Sequence, residues 1–61
     1  MNIKSIRLSK DLTQEDLARA VNVKRTTVTM WETGNSFPNA ITLKKIAEVL
    51  GCSVDDLLKE E

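Results

Sequence analysis

The sequence predicts an all-α protein, a compact bundle of five short helices. Three observations carry this. Apolar residues recur at three- and four-residue intervals, and no stretch alternates with period two for long enough to make a strand. The chain breakers Gly34, Pro38 and Gly51 fall between those periodic stretches. Start and stop signals of helices bracket the same stretches.

The first stretch, about residues 2–10, puts Ile3 and Ile6 on one face with Arg7 beside them. The second starts at Thr13, which can cap the helix while Asp16, three residues on, returns the bond; Glu or Gln is the usual partner there. Leu12 and Leu17 flank this box as a hydrophobic staple, and Leu17, Ala18 and Val21 make one apolar face. Asn22 follows, a residue that tolerates the left-handed conformation of a tight turn.

The third stretch, about residues 25–32, is a poor helix by intrinsic preference. Thr26, Thr27, Val28 and Thr29 are all β-branched and lose side-chain freedom in a helix. Lys24 stands where a Ser, Thr, Asp or Asn cap is expected, which costs on the order of 1 kcal/mol. Only Val28 and Trp31 are plainly apolar. Gly34 ends this segment, and Asn35–Pro38 reads as a loop anchored by Phe37. A fourth helix starts after Asn39, with Leu43, Ile46, Ala47 and Leu50 at helical spacing and Gly51 as its stop. Ser53 and Asp56 repeat the capping-box pattern, and Val54, Leu57 and Leu58 give a short amphipathic fifth helix.

At 61 residues the chain is expected to form one domain spanning 1–61, with no room for an effector-binding domain. One cysteine (Cys52) and no histidine argue against a secreted disulfide scaffold, and Cys52 reads as a small apolar filler. No apolar run approaches the roughly 20 residues that span a bilayer, and the start lacks a signal-peptide core. A cytoplasmic location follows as the expectation. Net charge is zero but unevenly spread. Residues 1–45 carry eight Lys/Arg against four acids, and residues 46–61 carry one Lys against five acids, about +4 and then −4. A partner feels the local field rather than the sum.

The unit Gln14–Trp31 sets two short helices about a turn near Asn22, with small Ala18 and apolar Val28 mid-way in each, where the helices can cross closely. The chain here resembles the Cro/phage-repressor (XRE-type) family of helix-turn-helix proteins. The residues that carry the resemblance are Leu12-Thr13-Gln14-Glu15-Asp16-Leu17-Ala18, Val23, Val28, Trp31-Glu32-Thr33-Gly34, Phe37-Pro38, Leu43-Lys44-Lys45-Ile46-Ala47, Leu50-Gly51 and Ser53-Val54-Asp55-Asp56-Leu57-Leu58. The resemblance covers residues 1–59 or so, with these pieces at consistent spacing.

The resemblance implies a bundle of the lambda-repressor-like DNA-binding type, with helix 3 (about 25–32) in the major groove. It implies that Gln14 touches phosphate and the edge of the site, and that Lys24 sits at the start of the recognition helix. Arg25, Thr26, Thr27, Thr29 and Met30 then occupy that helix's exposed positions, with Asn35 beyond it, and Arg7 and Glu32 form a structural ion pair. Arginine suits guanine N7 and O6, and threonine and methionine can meet bases, phosphates or a thymine methyl. Two positions depart from the family pattern: Asn22 stands where glycine is common, and Lys24 where a Ser or Thr cap is. Trp31 reads as core rather than base-stacking, and Lys44 and Lys45 as solvent-facing.

The function expected is sequence-specific double-stranded DNA binding by a transcriptional regulator, a repressor acting as a homodimer on a palindromic operator. Val49, Val54 and Leu58 are the candidate dimer face. The alternative is an antitoxin that binds a protein partner as well as DNA, although little chain follows the fifth helix to cover a toxin. With no His, no Tyr and one Cys, catalytic groupings are nearly missing, and the adjacent acids Glu15/Asp16 and Asp55/Asp56 point apart. No enzyme activity, metal, cofactor or small-molecule ligand is expected.

Overall fold

The computed structural model describes residues 1–59; Glu60 and Glu61, two of the acids in the charge count, lie outside them. Five helices follow in order: α1 (Ile3–Ser9), α2 (Gln14–Ala20), α3 (Arg25–Thr33), α4 (Ala40–Leu50) and α5 (Val54–Leu58). No strand occurs among the described residues.

One core joins them. Ile3 from α1, Leu17 and Ala18 from α2, Val28 and Trp31 from α3, Ile46, Ala47 and Leu50 from α4, and Leu57 from α5 are all buried, together with Val21. Leu12, Leu43 and Val54 pack against this set, half-buried. Cys52 does the same, and burial pushes its thiol pKa up, so it behaves as a small apolar side chain. The first and last helices are tied directly, because the Asn2 amide donates to the Leu57 carbonyl at 2.8 Å.

The helix boundaries follow local chemistry. At α2 the Thr13 amide donates to the Asp16 carboxylate at 2.9 Å and the Asp16 amide to the Thr13 hydroxyl at 3.0 Å, a closed capping box. Ser53 and Asp56 close a second at α5, at 3.2 and 3.0 Å. The shorter Asp therefore replaces Glu in both boxes. Asn39 caps α4, accepting from the Thr42 amide at 2.8 Å. Lys24 gives α3 no side-chain cap.

The C-terminal ends share one device. Asp11, Asn22, Gly34 and Gly51 each take positive φ (58°, 60°, 81° and 68°) just after α1 to α4. After α2, the Asn22 amide donates to Arg19 at 3.3 Å and the Val23 amide to Ala18 at 2.9 Å, which turns the chain into α3. Asp11 is the position that the sequence does not flag; its short polar side chain lowers the cost of the left-handed backbone.

Phe37 corrects an expectation. It is 67% exposed and does not anchor the α3–α4 loop. The loop is held instead by Asn35 and Ser36, whose amides donate to the Met30 carbonyl at 2.9 and 3.3 Å.

Candidate functional site

The most extensive helix-to-helix contact is between α2 and α3. Ala18 (3% exposed) on α2 and Val28 (0%) on α3 are both buried, and a residue with no side chain beyond Cβ leaves room for two helices to approach closely. Val28 and Trp31, one turn apart, point the same way into the core. That fixes the opposite side of α3 toward solvent.

On that side Lys24, Arg25, Thr26, Thr29 and Met30 are exposed, and Asn35 is exposed beyond the helix end. Thr27 departs from the expected set. It is half-buried, because it lies four residues before Trp31 and so flanks the buried stripe. Arg25 lines a shallow hollow of about 440 Å³ with Thr13 and Gln14, and a second of about 330 Å³ with Arg19 and Asn22. It therefore stands at the seam between α2 and α3. Arg19 is a basic residue that the sequence reading passed over. It is exposed and, among the described residues, is engaged only by a solvent-facing pair with Glu15 at 3.5 Å.

Behind this face lies a buried polar cluster. The Arg7 Nε donates to Glu32 at 2.7 Å and its Nη2 at 3.2 Å, with the two side chains only 7% and 4% exposed. The Arg7 Nη1 donates to the Leu12 carbonyl at 2.6 Å, which uses the third edge of the guanidinium. Half-buried Gln14 joins in: its Nε2 donates to Glu32 at 3.0 Å, and its Oε1 accepts from the Thr29 hydroxyl at 3.2 Å. Burial raises the Glu32 pKa, but the hydrogen bonds from Arg7 and Gln14, with the charges of Arg7 and Lys4, outweigh it and hold the carboxyl below its ordinary 4.5. One cluster thus ties α1, α2 and α3 together. The sequence signals its Arg7–Glu32 part through the family pattern; the Gln14 and Thr29 contacts, 18 and 15 residues apart along the chain, have no local signal.

The arrangement is a shallow, polar, mostly basic surface over a rigid support. Among the described residues no group of three or more His, Cys, Asp or Glu could hold a metal ion. No described helix is long and apolar enough to cross a membrane. Val49 of α4 and Leu58 of α5 are 39% and 53% exposed, while Val54 is half-buried against the core and offers less free surface than its residue type suggests.

Comparison with known proteins gives one consistent result. The helix-turn-helix family model matches residues 3–57. The chain is 39% identical over 59 residues to the HTH-type transcriptional activator BcrR of Enterococcus faecalis, covering 97% of this chain and 29% of that protein. It is 38% identical over 60 residues to the uncharacterized HTH-type transcriptional regulator YqaE of Bacillus subtilis, covering 98% of this chain and 52% of that protein. It is 29% identical over 58 residues to the cryptic phage CTXphi transcriptional repressor RstR of Vibrio cholerae, covering 95% and 52%. The chain therefore spans between about a third and a half of the length of these relatives.

Proposed function

The chain belongs to the helix-turn-helix family, and on that premise we propose that it binds double-stranded DNA with sequence preference, α3 lying in the major groove, and regulates transcription. The observation that carries the reading is the outer face of α3. It exposes Lys24, Arg25, Thr26, Thr29 and Met30 on a helix that lacks a side-chain cap, while its inner face is locked to α2 and the core. A helix facing only water is better built from Ala, Glu or Lys. Arg25 is the residue suited to guanine, and Thr26 and Met30 to bases or thymine methyls. Lys24 adds positive charge to a helix N-terminus already suited to phosphate. Gln14 meets the backbone from α2, and Thr27 and Asn35 lie at the margin of the contact.

The regulator is read as a repressor, since occupying a promoter is an effect that binding alone can produce. It acts as a homodimer on a palindromic operator, because one nine-residue α3 covers few base pairs and a two-fold pair presents half-sites about 34 Å apart. The exposed Val49 and Leu58 support a dimer face on α4 and α5, to which half-buried Val54 adds less.

The test is titration of the purified protein against DNA upstream of its own gene over a range of salt. Phosphate contacts make log K fall steeply and linearly with log salt. Arg25→Ala is expected to cost about 1–3 kcal/mol and relax preference at one base pair. Absence of binding to that DNA and to random duplex at low salt overturns the reading, and a monomer by sedimentation at high concentration, with no cooperative binding, removes the dimer.

A further inference from the structure

Resting on the DNA-binding reading, in which Gln14 meets the DNA backbone, we propose that Thr29 is a positioning residue that reads no base through its hydroxyl: with Glu32 it locks the Gln14 carboxamide so that an amide hydrogen is what Gln14 presents to a phosphate oxygen. The chemistry of the cluster fixes the orientation. A carboxylate only accepts hydrogen bonds, so the Gln14 atom 3.0 Å from Glu32 is the amide nitrogen. The amide oxygen then faces Thr29, whose hydroxyl donates to it at 3.2 Å. The reversed amide sets a carbonyl oxygen against the carboxylate, two acceptors with no hydrogen between them.

This orientation decides what Gln14 has left to offer. Its oxygen is engaged by Thr29, and one amide hydrogen by Glu32. The second amide hydrogen has no acceptor among the described residues, so the free valence of Gln14 is a donor. A half-buried side chain held at both ends cannot extend to the floor of a groove. The acceptors that lie outermost on a duplex are the phosphate oxygens. Arg7 makes the placement compatible with phosphate, because its two bonds to Glu32 offset the negative charge that otherwise faces the DNA.

Thr29 is used up by the same contacts. Its single hydroxyl hydrogen is shared between the Gln14 oxygen and the Arg25 carbonyl, each at 3.2 Å. Its donor capacity is therefore spent inside the protein. The contact sets the register between the phosphate contact from α2 and the base-facing residues of α3.

The experiment is a double-mutant cycle on duplex binding, read together with selection from a pool of randomised duplexes. Thr29→Val keeps the shape and removes the hydroxyl; circular dichroism is used to hold the assay temperature below the melting transition of every variant, so that affinity is read on folded protein. Expected is a loss of about fivefold in affinity for every sequence, with base preference unchanged at all positions and recovery in Thr29→Ser. Gln14→Ala combined with Thr29→Val is expected to bind no more weakly than Gln14→Ala alone. A changed preference at one base pair in Thr29→Val, or losses that multiply in the double variant, overturns the proposal. Wild-type binding in the same titration separates the two failures: if the wild type binds and the cycle is additive, only the role of Thr29 falls, whereas a wild type that does not bind overturns the DNA-binding reading as well.

Discussion

Helices α2 and α3 lie against each other and are built by opposite local rules. Helix α2 has a closed capping box, two acids in its first turn and an arginine in its last, all of which suit the helix dipole. Helix α3 has no side-chain cap, no acid in its first turn and no base in its last, and its N-terminus carries Lys24 and Arg25, the unfavourable sign. Thr26, Thr27, Val28 and Thr29 lower its helix preference further. Yet α3 is the longer of the two, nine residues against seven. Its stability must therefore come from tertiary contacts: Val28 and Trp31 in the core, and Glu32 in the polar cluster. A helix held from behind is free to spend its outer face on a partner. The lack of a cap is not proof of that use by itself, since α1 also has no side-chain cap at Asn2. The combination of missing cap, reversed dipole charge and β-branched run is confined to α3.

The strongest way to break this comparison is to remove the support. Glu32→Ala leaves the Arg7 guanidinium buried and unpaired, which costs about 3–5 kcal/mol. A 61-residue domain has roughly 3–9 kcal/mol in total. Chemical denaturation is therefore expected to show the loss of about a third or more of the total stability at 25 °C. A loss below about 1 kcal/mol means α3 stands on its own local signals, and the comparison fails. The pair also makes stability depend on pH. The folded Glu32 carboxyl titrates below its ordinary 4.5, so its contribution is fully present above that value and is lost as pH falls through the lower, folded value. Asp16 and Asp56, held below 3.8 by hydrogen bonds from Thr13 and Ser53, act in the same direction. Acid unfolding is expected to begin below about pH 4.5, and to be less steep in Glu32→Gln, whose residual midpoint reports the capping acids.

A smaller change sharpens the comparison by giving α3 what α2 has. Lys24→Ser supplies a cap at a residue that already has the extended backbone of an N-cap (φ −76°, ψ 150°). Stability is expected to rise by about 1 kcal/mol, read as a higher melting temperature. Duplex affinity is expected to fall alike for all sequences, with the salt slope reduced by about one. If affinity holds while stability rises, the poor start of α3 serves no contact with DNA.

How far the sequence discloses all this depends on whether a signal is local. The capping boxes, Asn22, Gly34 and Gly51 place helix ends correctly because each acts within four residues. The inward stripe of α3 is legible from Val28 and Trp31, but its edge is not: Thr27 looks as exposed as its neighbours until the packing angle against α2 is known. Phe37 misleads because a loop has no period to say which way a side chain faces. The union of Gln14, Glu32, Arg7 and Thr29 depends on the crossing of three helices, which no window of sequence contains.

The mildest substitution addresses the turn that joins the two helices. Asn22 holds φ at 60°, a conformation asparagine tolerates and glycine adopts without a Cβ penalty. Against this, glycine gains more freedom in the unfolded chain, which offsets part of the benefit. Asn22→Gly is therefore expected to raise stability by a few tenths of a kcal/mol, up to about 1, in the same denaturation experiment. DNA affinity is expected to stay unchanged, since the turn bonds from Asn22 to Arg19 and from Val23 to Ala18 use only backbone atoms. A loss of affinity in this variant assigns the Asn22 side chain, which lines the hollow between Arg19 and Arg25, to the DNA-facing surface, which then runs from α2 through the turn to α3.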